Sequence, residues 1–420
     1  MDIFTNFISN IKNNRKVLEN YFFMTVFQIL NSFFYLLIYP YLIRVLGPAS
    51  YGVYLVGVNI ASYFQTLITF GFDFPALKAV SLSKNDHDQI SKTFSIVLYA
   101  KIVLFTLSLL IFGTVLLFVN EFIDNGLIYL VCFINVFSLV LYPQWYFQGL
   151  QRMRIVTVVQ LFFKLLSLPL IFIFIKNESD IIIFAIITVV FNLASSIYLF
   201  CVIILQDKIK ILVPSKCEVF NWLKISSPFF ASNSVNTLKQ QSTTTIIAIF
   251  FSTKNVAYYD LALKIFQVPT LITANINSAI FPKLITGVNF NIIRKVLRYE
   301  FLLCAIVITF LIIFGNKIIY VLGGIEMSSS YPLLIILSFS IFSIIVGAIM
   351  SFVFIPYNMY KEVFYNQVIA TFFYFSIVVG GLYIYRDIII IPISITISVF
   401  IELVVVFYYF NRVRGKGLIQ

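Results

Sequence analysis

Charge is what this chain has least of. Only 11% of its 420 residues are Asp, Glu, Lys or Arg, while 61% are apolar; water-soluble domains carry about 25% charge. A surface so poor in charge cannot keep a globule dissolved, which excludes a soluble cytosolic enzyme. Histidine is nearly missing, with His87 the single one, and the four cysteines, Cys132, Cys201, Cys217 and Cys304, are scattered. No ligand set stands at zinc spacing, and no glycine-rich run has the form that cradles a phosphate or a dinucleotide. Metal, haem and nucleotide chemistry drop out, so no cofactor is expected.

What the chain has is long apolar stretches, with a mean hydropathy of +1.00. A bilayer-spanning helix needs about 20 such residues. Cutting the stretches at their polar breaks predicts twelve spans, at 20–39, 53–73, 94–119, 127–147, 155–175, 181–205, 225–250, 259–281, 301–322, 333–355, 363–385 and 388–410. Ahead of them, Ile3, Phe4, Phe7, Ile8 and Ile11 recur at helical spacing beside Lys12, Arg15 and Lys16, the pattern of an interfacial helix rather than a cleaved signal.

The basic residues give the orientation. Loops on one side hold 20 Lys and Arg, loops on the other only Arg44, Lys176, Lys254 and Arg386, and five more lie inside spans. By the positive-inside rule both termini are cytoplasmic. Attraction to the anionic inner leaflet accounts for much of the net charge of +12, so no nucleic-acid partner is called for. All four cysteines then face the reducing side or lie in spans, and no disulfide is expected.

A shift of 205 residues superposes the halves weakly: Gly52, Tyr54 and Lys78 fall on Ala257, Tyr259 and Lys283. The expected organisation is an interfacial segment (1–19), a lobe of six spans (20–205), a cytoplasmic linker (206–224), a second six-span lobe (225–410) and a tail (411–420). This predicts an all-α integral membrane fold, about 12 transmembrane helices in two parallel lobes around a central cavity. The first span of each lobe carries a polar face. Gln28, Asn31, Ser32, Tyr35 and Tyr39 recur at i, i+3, i+4, i+7 and i+11, and the shift lands on Asn233, Asn236, Thr237, Gln240 and Thr244. Such faces either line water or glue helices through hydrogen bonds of about 0.6 kcal/mol each. Seven consecutive polar residues, Lys239 to Thr245, favour water.

The cations inside spans are Lys101, Lys164, Lys239, Lys264 and Lys317. Lys317, near a helix end, can snorkel to the interface, and Lys101 and Lys264 have partial access to that escape. Lys164 and Lys239 are too central, and each costs about 2.5–3.5 kcal/mol to insert unless a carboxylate, water or an anionic ligand meets it. The acids inside spans are Asp73, Asp260 and Glu402. An electropositive cavity suited to an acidic or phosphate-bearing substrate follows, with Lys164 and Lys239 as its primary contacts and Lys101, Lys264, Gln28, Asn31, Tyr35, Asn233, Asn236 and Gln240 around them. Asp73 and Glu402 are candidates for ion coupling, or for pairing with these lysines.

Two segments carry a family resemblance. Leu46, Gly47, Pro48, Tyr51, Gly52 and Tyr54 look like an LGPxxYGxY stretch, and Tyr142 to Gly149, reading YPQWYFQG ahead of Leu150–Met153, is similar to a PxWxFQGxxxM segment. Together they resemble the Wzx-type polysaccharide flippases, the O-antigen and capsule repeat-unit transporters of the MATE-like (MOP) superfamily. The resemblance implies a protein of the bacterial inner membrane that is not an enzyme. It would move an undecaprenyl-diphosphate-linked oligosaccharide to the periplasmic leaflet by alternating access, among membrane lipids and other polysaccharide-assembly membrane proteins. Gly47, Pro48 and Gly52 would shape the outer turn. Pro143, Trp145 and Gly149 would shape the inner end of span 4, with Trp145 and Tyr146 at the interface. Arg152 and Arg154 satisfy the positive-inside rule or recruit the diphosphate. A multidrug or small-solute exporter of the same fold stays open; a membrane-embedded glycan polymerase or ligase lacks the large external loop it needs.

Overall fold

Lipid offers no partners to backbone N–H and C=O groups, so a chain this apolar must satisfy them within helices or a closed barrel. The computed structural model describes residues 15–84, 86–118, 125–285, 290–349, 354 and 359–415, and these are helical with no strand among them. The interfacial repeat expected at Ile3–Ile11 and the last residues of the tail, 416–420, lie outside the described residues.

The helices are α1 (Arg15–Thr69), α2 (Asp73–Leu82), α3 (His87–Phe118), α4 (Gly126–Leu141), α5 (Gln144–Gly149), α6 (Met153–Phe174), α7 (Ile181–Cys201), α8 (Lys216–Phe250), α9 (Thr253–Ile285), α10 (Phe290–Gly323), α11 (Ser330–Ser338), α12 (Ser343–Ile349), α13 (Tyr360–Ile384) and α14 (Ile390–Gly415). Each of the twelve expected spans falls on one of them or on a broken pair, apart from 119 in span 3 and 350–353 and 355 in span 10, which lie outside the described residues. Nine helices among the described residues are long and apolar enough to cross a bilayer, one of which, Phe22–Thr69, holds the first two spans. The helices of spans 7 and 8 are not among the nine. The polar run Lys239–Thr245 dilutes α8, and Asp260, Lys264, Asn275 and Asn277 dilute α9.

Three departures from straight spans have local causes. Spans 1 and 2 run as one element because the break between them is a single residue, Gly47, at φ 72°, followed directly by Pro48; glycine alone takes that conformation without strain. Span 10 is split by a 3₁₀ turn at Phe339–Phe342. There the Ser338 and Ser340 hydroxyls donate to the carbonyls of Ile335 and Leu337, each at 2.6 Å, and such back-bonding bends helices. Span 4 is cut at Pro143, which separates α4 from α5.

The chain divides into two compact units. One comprises the residues up to Tyr35 with Val53–Thr237; the other comprises Leu36–Gly52 with Leu238 onward. In the first, α4 packs against α7, α6 against α7, and α2 against α5. Its core holds Phe94, Phe112, Phe133, Trp145, Tyr146 and Phe147, with the Phe112 and Phe133 rings stacked at 4.2 Å. In the second, α9 and α10 pack on α11, and α13 on α14, around Cys304, Ile341, Ala348, Val406 and Phe410.

Candidate substrate-binding site

Lys164 sits in the middle of α6, half-buried, and its ammonium donates to the Asn31 side-chain oxygen of α1. The rings of Phe34 and Tyr35 lie 5.5 and 5.2 Å from the same nitrogen. An amide dipole and two π faces stabilise a cation without neutralising it. The structure thus unites three residues singled out by sequence, Asn31, Tyr35 and Lys164, and adds Phe34, whose apolar side chain gave no signal. Gln28, one turn below Asn31, is exposed.

The other expected cations meet different fates. Lys239 donates to the Ser398 hydroxyl at 2.8 Å and to Glu402 at 3.1 Å. Beside it Thr243 shares a 2.6 Å hydrogen bond with Tyr374, so part of the polar run is satisfied by protein. Lys264 pairs with Asp260 one turn away at 2.5 Å and lies over the rings of Tyr39 and Tyr51. Lys101 is 3% exposed and donates to the Leu139 carbonyl at 3.1 Å. Two of the four lysines are therefore matched with carboxylates. Among the described residues, Lys164 and Lys101 form no ion pair, and of these Lys164 is the more accessible. Asn233, Asn236 and Gln240 are all exposed along one side of α8, and Asp73 is exposed at the start of α2.

The family-like segments turn out to be clamps. In the first, Tyr51 is buried edge-on against Tyr39, 5.4 Å between ring centres, and Tyr39 donates to the Ala257 carbonyl at 3.4 Å. Gly52 is pressed on the Thr253 backbone so closely that no side chain fits there. The segment thereby ties the kink of α1 to the first turns of α9. In the second, Trp145 and Tyr146 are 2% and 1% exposed, in the core rather than at the interface, because Pro143 turns the short α5 inward against α2. A Cβ on Gly149 would come within 3.0 Å of Val80. Arg152 grips both carboxylate oxygens of Asp207 at 2.7 Å, and Tyr146 donates to the same group at 3.0 Å. That engagement ties Arg152 to Asp207, just past the π turn Val202–Gln206 that follows α7, and makes it unsuited to capturing a ligand.

Comparison with known proteins agrees with this architecture. A provisionally assigned O-antigen transporter of Escherichia coli K12 is 25% identical over 285 residues, 68% of this chain and 69% of that one. An inward-facing multidrug resistance MATE transporter of the MOP superfamily superposes with a TM-score of 0.69 at 15% identity, covering 91% of this chain and 95% of its own. The lipid II flippase MurJ, in an inward closed conformation, gives 0.68 at 15%, covering 92% and 87%. At such identities the likeness shows the fold alone: the twelve-helix, two-lobe architecture. The family model described as polysaccharide biosynthesis protein matches residues 17–286, and the chain belongs to that family.

Proposed function

We propose that this protein is a flippase that carries an oligosaccharide, linked through a diphosphate to a polyprenyl lipid, from the cytoplasmic to the periplasmic leaflet of the bacterial inner membrane. The observation that carries the reading is Lys164, a mid-span ammonium cradled by Asn31, Phe34 and Tyr35, with no carboxylate paired to it among the described residues. An intramembrane charge left in this state is expensive and marks a function. An anionic headgroup passing through the membrane is the ligand that relieves it, through charge-assisted hydrogen bonds. The exposed amides of Gln28, Asn233, Asn236 and Gln240 suit the hydroxyls of a sugar.

In this reading both termini are cytoplasmic, six spans form each lobe, and the substrate site is offered alternately to either leaflet. Lys239 and Lys264 serve chiefly to hold their own helices, with Glu402 as the counter-ion of Lys239. Neighbouring polysaccharide-assembly membrane proteins receive the cargo. A multidrug exporter shares the fold, but a mid-span lysine that no carboxylate among the described residues pairs with disfavours cationic drugs.

The test is complementation. In a strain lacking its own repeat-unit transporter, Lys164→Ala should abolish surface glycan at normal membrane abundance, and Lys164→Arg should retain part of it. Full glycan from the alanine variant would overturn the proposal.

A further inference from the structure

A second feature lies on the unit formed by Leu36–Gly52 and Leu238 onward. Between α9 and α10 runs a groove of about 670 Å³, lined by side chains such as Ile265, Pro269, Phe310, Phe314 and Val321, with Lys317 the one charged residue. That is within the ~300–1,000 Å³ range of ligand sites. At Lys317 and Val321 it meets a second cavity of about 430 Å³, where Asn316, Tyr320 and Ser328 join a lining that is still mostly apolar. A second cation stands at the same junction: Arg44 donates to the Val321 carbonyl at 3.2 Å. Lys317 and Arg44 are both exposed and, among the described residues, in no ion pair.

The order along α10 is therefore apolar groove, two cations near Val321, and a cavity that adds polar side chains. It matches the order of an amphiphile with a long hydrocarbon tail, a phosphate and a polar head. Depth agrees as well. Lys317 lies six residues before the end of α10 at Gly323, about 9 Å of helix, where an ammonium reaches the headgroup layer. Arg44 is one of the few cations on a side otherwise poor in them, so its position needs a cause beyond topology.

We infer that this groove holds the isoprenoid chain of a polyprenyl diphosphate lipid in the outer leaflet, its diphosphate on Lys317 and Arg44. The choice of an isoprenoid lipid and of the outer leaflet rests on the function proposed above. The site shares no residue with the Lys164 cradle and would retain the carrier after its head has crossed.

The full-length protein, with p-benzoylphenylalanine in place of Phe314, is placed in phosphatidylcholine nanodiscs containing either undecaprenyl diphosphate or phosphatidylglycerol and irradiated. Capture of undecaprenyl diphosphate should exceed that of phosphatidylglycerol and fall about tenfold or more in Arg44→Gln/Lys317→Gln, as two charge-assisted contacts to phosphate are lost. Equal capture of both lipids, or capture indifferent to the double substitution, refutes the site, the groove then being filled by bulk lipid. Restored glycan in vivo combined with either of those results refutes the groove alone. Selective, charge-dependent capture without restored glycan refutes the transport reading and upholds the groove.

Discussion

At the residue scale, the lysines in the spans differ by what surrounds them, and substitutions should separate them. Lys239 and Glu402 form a partly buried pair, 21% and 16% exposed at the side chain. Removing one partner strands the other, at about 1–3 kcal/mol. Lys239→Ala should therefore lower the unfolding temperature of the purified protein, and Lys239→Met with Glu402→Leu should recover most of the loss. Unchanged stability in the single variant would show the pair to be incidental. Outside the membrane, Glu218 is held down to about 2 by Lys92 at 2.6 Å and by Ser215. Its folded pKa lies below the ordinary 4.5, so its contribution is present above that value and fades as pH falls toward 2. The effect is small because the pair is exposed, and Glu218→Gln should flatten that part of a stability–pH curve.

At the scale of helices, glycines sort by what a methyl group would meet. Gly52→Ala drives a carbon into the Thr253 backbone, and overpacking of this kind costs about 1–3 kcal/mol. Gly113 in α3 has nothing within 4 Å, and alanine there should gain up to about 1 kcal/mol of helix propensity. Melting temperatures of the two variants should move in opposite directions; a shared direction would contradict the clamp at Gly52. The helices themselves were legible in the sequence because a bilayer imposes one length and one composition on each span. Some of the breaks were not, although Gly47 and Pro48 marked the turn between the first two spans. The bend at Ser338–Ser340 depends on which way two hydroxyls turn, and the burial of Trp145 depends on Pro143 rotating α5 toward α2, a packing choice invisible to local pattern. Partners were harder still. Lys239 and Lys164 could be ranked as costly from their depth, but Glu402 stands 163 residues from Lys239 and Asn31 133 residues from Lys164, and only the packed structure says which lysine is matched with a carboxylate.

At the scale of the whole molecule, the lopsided loops call for both ends of the chain to lie in the cytoplasm. A reporter that fluoresces only there, fused after Gln420, should be bright, and a periplasm-only enzyme reporter at the same point should be silent; the reverse pattern would invert the route proposed for the cargo. That route depends on one lysine receiving a diphosphate in mid-membrane. The most direct measurement is translocation by purified protein in proteoliposomes, following a fluorescent sugar on polyprenyl diphosphate from one leaflet to the other. Lys164→Ala should slow translocation about tenfold or more, the worth of one charge-assisted phosphate contact, while Lys164→Arg keeps part of the rate. An alanine variant that translocates at the unmodified rate would contradict the role proposed for Lys164.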